Sequence, residues 1–210
     1  MKKTNDIRID ESKLHPWLKD LMHKGIKKCN EHGIYIIITE GYRTVKYQDS
    51  LYAKGRTKSG SIVTNARGKD YQSQHQWGIA FDIAINGTSA ELYNADLMRR
   101  ASKYFKSVGL SWGGDWTSPV DMPHFYLGKW GATTSKLKRK FKTPKNFQKT
   151  WSRKVKKTTQ IYSNRKMTKK EKMVKKGTKL TVFWYSKLGI AKVQYKKHKG
   201  YVWRKNFAKI

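Results

Sequence analysis

The chain has a single cysteine, Cys29, among its 210 residues, so no intrachain disulfide can form. Acidic residues are scarce: 14 Asp and Glu stand against 47 Lys and Arg, for a formal net charge of +33. Long apolar runs are absent too. No stretch approaches the ~20 residues of a membrane span, which excludes membrane insertion. The start, Met1-Lys2-Lys3-Thr4-Asn5-Asp6, has no apolar core of the roughly 7–15 residues that a secretion signal needs. The expectation is a soluble chain made in the cytosol, which needs another agent to reach any target beyond the membrane. No internal repeat argues for a solenoid. What is present suffices for a packed core: 37% of residues are hydrophobic and 13% aromatic.

The charge is unevenly spread. Residues 131–210 hold 27 of the 47 basic residues and one acid, Glu171. Residues 1–130 hold the other 20 basic and 13 acidic residues, so the two parts carry +26 and +7. Such asymmetry predicts two modules with different tasks, and an excess of this size predicts a polyanionic partner.

Leu14, Leu18, Leu21, Met22, Ile26 and Cys29 recur at helical spacing and predict an amphipathic helix over 12–32, capped by Asp10 or Ser12 and ended by Gly33. Cys29 on that apolar face reads as a buried, inert thiol. Ile34 to Thr39 reads as a central strand. A second helix is expected around 45–54, a polar loop over 56–72, a strand from Gly78 to Ile85, a helix over 90–107, an aromatic-flanked turn at 112–116 and a short strand from His124 to Leu127. Residues 131–150 read as a basic linker. Beyond it, Gln160–Tyr162, Lys179–Trp184, Ile190–Tyr195 and Tyr201–Trp203 read as strands of a small β-barrel, with Gly177, Gly189 and Gly200 at turns.

Two segments carry chemistry. In Ser73-Gln74-His75-Gln76-Trp77-Gly78-Ile79-Ala80-Phe81-Asp82 a histidine precedes a strand, and a carboxylate projects from that strand's small-residue face. A charge among Ile, Ala and Phe is costly to bury unless it is paired or binds a metal. In Asp121-Met122-Pro123-His124-Phe125 an acid sits three residues before a histidine that opens a strand. Together they offer two imidazoles and a carboxylate for a metal, with a second carboxylate nearby. Three protein ligands and an open position form the pattern of a catalytic zinc site. His15, His23, His32 and His198 read as surface or structural residues.

These segments resemble the VanY-like family of zinc metallopeptidases, which includes peptidoglycan D,D-carboxypeptidases and phage or bacterial L-alanyl-D-glutamate endopeptidases. The pattern Ser-x-His-x-x-Gly-x-Ala-x-Asp is matched at Ser73, His75, Gly78, Ala80 and Asp82, and acid-x-x-His at Asp121 and His124. The resemblance spans residues 12–128. It implies that His75, Asp82 and His124 hold Zn2+, that Asp121 is the general base, and that Arg43 steadies the oxyanion. Ser73 is expected to support the site and help hold substrate. The segment Leu110 to Trp116 looks most like the L-alanyl-D-glutamate branch, where Trp112 and Trp116 line the substrate groove or belong to the core.

The C-terminal block resembles a bacterial SH3 domain through Lys176 to Val182 and Gly200-Tyr201-Val202-Trp203, with Trp184, Tyr201 and Trp203 as candidate contacts to the wall. The implied fold is α+β, an antiparallel-centred sheet with packed helices, followed by a small all-β SH3-like barrel. The implied domains are a peptidase over 1–130, a linker over 131–150 and a wall-binding module over 151–210. The implied partners are peptidoglycan and anionic wall polymers, with no specific nucleic acid, for a monomeric endolysin released by a holin. Three rivals remain at this stage. A nucleic-acid-binding protein accounts for the charge and aromatics but not for the His and Asp set. A non-haem iron oxygenase shares two His and one carboxylate but has no need of Asp121. A D,D-carboxypeptidase shares the zinc site and trims terminal D-Ala.

Overall fold

The computed structural model describes residues 4–186 and 188–208; the charged start Met1–Lys3 lies outside them. The chain divides into two compact units, Met1–Pro144 and Lys145–Ile210. Among the described residues no helix is long and apolar enough to cross a membrane.

The first unit is built on a five-stranded sheet in the order β1-β2-β3-β5-β4, comprising β1 (Asp6–Ile7), β2 (Ile36–Glu40), β3 (Ala80–Ile85), β4 (Ser111–Trp112) and β5 (His124–Tyr126). Only β1 and β2 run parallel; the other pairs are antiparallel. β2 is internal, as its run of isoleucines predicts, and Ile36, Ile37 and Ile38 are buried. Helices α1 (Pro16–Glu31), α2 (Val45–Ala53) and α3 (Ala95–Ser107) accompany the sheet, and α1 packs on α3. The apolar face of α1 is buried through Leu18, Leu21, Met22, Ile26 and Cys29.

Two boundaries differ from the sequence expectation. α1 begins at Pro16, not near Ser12, because the residue before a proline is barred from helical backbone. Residues 11–13 instead form a separate 3-10 turn, capped by Asp10. α3 begins at Ala95, not at 90, because the Asn94 side chain accepts from Asp96 N and Leu97 N and sets the cap there. The preceding residues form turns in which the Leu92 carbonyl accepts from Ile85 N at 2.9 Å.

The segment expected to be a linker is not a plain one. It holds α4 (Ser135–Phe141) and α5 (Pro144–Gln148), anchored by the buried side chains of Leu137 and Phe147. Its many lysines masked these two apolar residues in the composition.

The second unit is a six-stranded antiparallel sheet in the order β6-β9-β10-β11-β7-β8. Its strands are β6 (Ser152–Lys154), β7 (Thr159–Tyr162), β8 (Lys170–Val174), β9 (Lys179–Tyr185), β10 (Ile190–Tyr195) and β11 (His198–Trp203). The core is small and aliphatic: Val155, Ile161, Leu180, Val182, Val193 and Val202 are buried together with Phe207. Strands β6 and β8 were not legible in the sequence. β8 reads Lys-Glu-Lys-Met-Val and buries only Val174, so it lacks the alternation that marks a half-buried strand.

Candidate metal centre

The register of the first sheet assembles the site. β3 pairs with β5 so that Asp82 stands directly opposite His124, and with β2 so that Asp82 stands opposite Glu40. Directly opposite side chains share a face of the sheet. The third member arrives from the 3-10 turn Gln74–Trp77, which runs into β3. Ser73 is its N-cap residue, and the Gln76 Oε1 accepts back from Ser73 N at 3.3 Å in a capping box. Gly78 closes the turn in the left-handed region, at φ 63. The loop before β5 is held close by Gly113, where a Cβ would stand 2.5 Å from the Asp121 carbonyl oxygen.

Three side-chain atoms converge. Asp82 Oδ1 lies 3.2 Å from His75 Nε2 and 3.0 Å from His124 Nδ1, and the two nitrogens are 3.2 Å apart. An ion bound tetrahedrally at 2.0–2.1 Å needs its ligands about 3.3 Å apart, close to this triangle.

The outer contacts fix what these atoms present. His75 Nδ1 lies 2.7 Å from the Gly41 carbonyl, which can only accept, so this nitrogen carries the proton and Nε2 offers a lone pair. His124 Nε2 lies 2.7 Å from Gln74 Oε1. The Gln74 amide is oriented by its own donation from Nε2 to the Gly131 carbonyl at 3.0 Å. His124 Nε2 therefore donates, and Nδ1 faces inward unprotonated. Two imidazole lone pairs and a carboxylate oxygen pointing at one another, without a proton between them, could hold a cation, with the Gly41 carbonyl and Gln74 orienting the two imidazoles from outside. His75, Asp82 and His124 are also the group among the described residues whose ligand atoms gather as a metal would require.

The surroundings set the charges. Burial drives the His75 imidazole down, toward the neutral form that a metal ligand needs. Burial alone would raise the Asp82 carboxyl; when the facing imidazole nitrogens carry protons, attraction to His75 and hydrogen bonds from His124 and His75 outweigh burial and hold it well below the usual carboxylate range, so Asp82 is anionic whether protons or a cation sit among these atoms. Its second oxygen accepts from Arg43 Nη2 at 2.9 Å, and Arg43 Nε lies 3.4 Å from Glu40 Oε2. Asp121 is partly buried, and that burial raises its carboxyl above the usual range.

The family match falls on this same stretch. The model for D-alanyl-D-alanine carboxypeptidase, of peptidase family M15, matches residues 66–127. The peptidoglycan L-alanyl-D-glutamate endopeptidase CwlK of Bacillus subtilis (strain 168) is 37% identical over 126 residues, covering 55% of this chain and 74% of that protein. The chain belongs to the M15 peptidase family. Similar solved structures include the L-Ala D-Glu endopeptidase ChiX of Serratia marcescens, at 20% identity and TM-score 0.42, covering 56% of this chain and 82% of that one. Another is the D,D-pentapeptidase VanY from a VanB-type resistance cassette, in complex with Zn(II), at 19% identity and TM-score 0.42, covering 54% of this chain and 72% of that one.

In this M15 peptidase the remaining sequence-derived residues separate by position. Trp116 borders the metal group: its ring lies 5.2 Å from that of His124, and its Nε1 donates to the Tyr126 hydroxyl. Trp112 does not line a groove. It is buried, stacks on Phe125 and donates from Nε1 to the Met122 carbonyl, so it is core. Ser73 is also buried and acts as a turn cap. Arg43, expected to steady an oxyanion, donates from Nη2 to Asp82 Oδ2. In the second unit Trp184 and Tyr201 lie together, with ring centroids 6.1 Å apart, while Trp203 is 40% exposed.

Sequence reasoning missed Gln74, Glu40 and the Gly41 carbonyl. A glutamine one residue before a histidine carries no signal of its own; the turn Gln74–Trp77 and the pairing of β3 with β5 bring it to His124. The other histidines are structural. His15 is buried and accepts from Trp17 N at 3.1 Å, His32 stacks on Tyr104, and His23 and His198 pair with Glu11 and Glu171. Burial pushes the Cys29 thiol up to about 12, as expected of an inert thiol.

Proposed function

We propose that this chain is a zinc-dependent peptidoglycan hydrolase that cuts the L-Ala–D-Glu bond of the stem peptide. The observation that carries the zinc assignment is the triangle of His75 Nε2, Asp82 Oδ1 and His124 Nδ1, with both imidazole tautomers set from outside. The 37% identity to CwlK supports the choice of bond. Zinc bound there supplies Lewis acidity, which acidifies water and polarises the scissile carbonyl.

The chain's own residues supply the rest. Asp121, with its carboxyl raised by burial, takes a proton from the attacking water and returns it to the leaving amine. Arg43 is a positioning residue for Asp82: it fixes the carboxylate rotamer so that Oδ1 faces the imidazoles. Trp116 lines the substrate side of His124. The second unit is an SH3-like module that holds the enzyme on the wall by its basic surface and by Trp184, Tyr201 and Trp203.

Mass spectrometry of peptides released from purified peptidoglycan tests this reading. Fresh N-terminal glutamate, without reducing sugar, is expected. Accumulation of free D-alanine would establish the D,D-carboxypeptidase reading, which the description of the matching family favours. Metal analysis separates zinc from the iron of an oxygenase.

A further inference from the structure

The second unit carries an open cleft of about 900 Å3 that the peptidase chemistry does not use. Among the described residues its wall includes Arg153, Lys156, Arg204 and Lys205, and no acid. The unit's one acid, Glu171, is paired with His198 at 2.7 Å, away from the lining. Two exposed apolar side chains also face this cleft: Trp203 at 40% and Leu188 at 73% exposure. Lone exposed hydrophobics are ordinary, but two beside four cations in one concavity need a ligand with both kinds of surface.

Three of the cations rest on aromatic rings. The Arg153 guanidinium donates to the Ala208 carbonyl and lies over the Phe207 ring. The Arg204 guanidinium lies 5.4 Å from the Tyr185 ring centroid, and the Lys205 ammonium 5.8 Å from that of Trp203. The rings thus hold the charged groups themselves, and Lys156, Arg204 and Lys205 remain exposed to a ligand. A single phosphate would fill a small part of this volume and meet one or two of the heads. A chain with anions at intervals would meet all four, with its carbon segments against Trp203 and Leu188.

We propose that this cleft seats a polyol-phosphate chain, in which phosphodiesters alternate with short aliphatic polyols. The wall-hydrolase reading supports the choice of this polyanion, and the cleft's chemistry separates it from nucleic acid. Bases need aromatic platforms on which to stack. The cleft offers one exposed indole, and the Trp184–Tyr201 pair lies outside its lining with rings at 63°, an edge contact rather than a platform.

The test is binding of soluble poly(glycerol phosphate) to the full-length chain across a salt series, with a single-stranded oligonucleotide of equal phosphate number in parallel. Three variants are compared with the parent: Lys156→Gln with Lys205→Gln, Trp203→Ala, and a control of equal charge loss, Lys169→Gln with Lys170→Gln. Circular dichroism and thermal unfolding confirm that each is folded. The cleft pair should weaken binding about tenfold or more near physiological salt and flatten the slope of log K against log salt by about 1.4, the loss of two phosphate contacts. Trp203→Ala should remove the part of the binding that salt leaves. The control should weaken binding much less. Equal loss in the cleft pair and the control would reduce the effect to net charge and overturn the site. Cleft-dependent binding that favours the oligonucleotide would overturn the ligand class. Binding is read without turnover, so a chain that binds but releases no peptide would count against the peptidase reading and leave this proposal standing.

Discussion

Gln74→Leu is the most informative single change, because it alters no metal ligand and yet should loosen the metal. In the parent chain Gln74 Oε1 accepts from His124 Nε2 at 2.7 Å, and the pair is buried. Leucine keeps much of the volume and removes the acceptor. His124 then has two choices. It can keep the proton on Nε2 as a buried, unpaired donor, at a cost of about 1–3 kcal/mol. Or it can move the proton to Nδ1 and lose the lone pair that the metal needs. Either way zinc affinity should fall about 10–100-fold, or about 1.4–2.7 kcal/mol. Competition with a chromophoric chelator at neutral pH measures the affinity, and the visible spectrum of the cobalt-substituted chain reports the geometry. With saturating zinc, activity should recover most of its parent value. Gln74→Glu restores an acceptor and should recover affinity relative to leucine, although it loses the donation to the Gly131 carbonyl. If Gln74→Leu binds zinc as tightly as the parent, the tautomer argument fails, and with it the claim that this glutamine presets His124.

Further outcomes follow from the same geometry. Asp121→Ala should keep stoichiometric zinc and lose roughly 10²–10⁴ in turnover; loss of the metal in this variant would make Asp121 a ligand instead. His15 is held neutral by burial, down to about 3, whereas an unfolded histidine titrates at 6.5. Between those values the unfolded chain binds the extra proton, so this stabilisation is complete above about pH 6.5 and shrinks as pH falls toward 3, by an amount of order 5 kcal/mol. His15→Asn keeps an N-cap acceptor and should flatten that part of the stability–pH curve in urea unfolding of the zinc-free chain; an unchanged curve would refute the assignment. A chain ending at Pro144 should cleave soluble fragments and work poorly on whole walls, because tethering raises the effective concentration. A chain ending at Trp130 should lose stability as well, since it lacks the Gly131 acceptor, the Thr134 hydroxyl that donates to the Tyr71 carbonyl, and the buried Leu137. Thermal unfolding compares the two truncations.

The sequence by itself carried the local facts. The apolar stripe of α1, the isoleucine run of β2 and the small-residue face of β3 follow from side-chain period, which is a property of neighbouring residues. The pattern from Ser73 to Asp82 and the pair Asp121 and His124 are also local, since a turn before a strand fixes which side chains come forward. What depended on contacts distant in sequence could not be read. Two tryptophans four residues apart look alike in the sequence, yet Trp112 is sealed beneath Phe125 and Trp116 stands beside His124. Arg43 reads as a free cation until β2 and β3 set Glu40 and Asp82 against it. Gln74 gains its role from His124, fifty residues away. Composition concealed α4, α5 and β8, where one buried apolar residue among lysines is enough once another element covers it. Short-range spacing thus picked out the three side chains that could hold a metal, while register and burial, which only the folded chain possesses, decided which neighbours orient them.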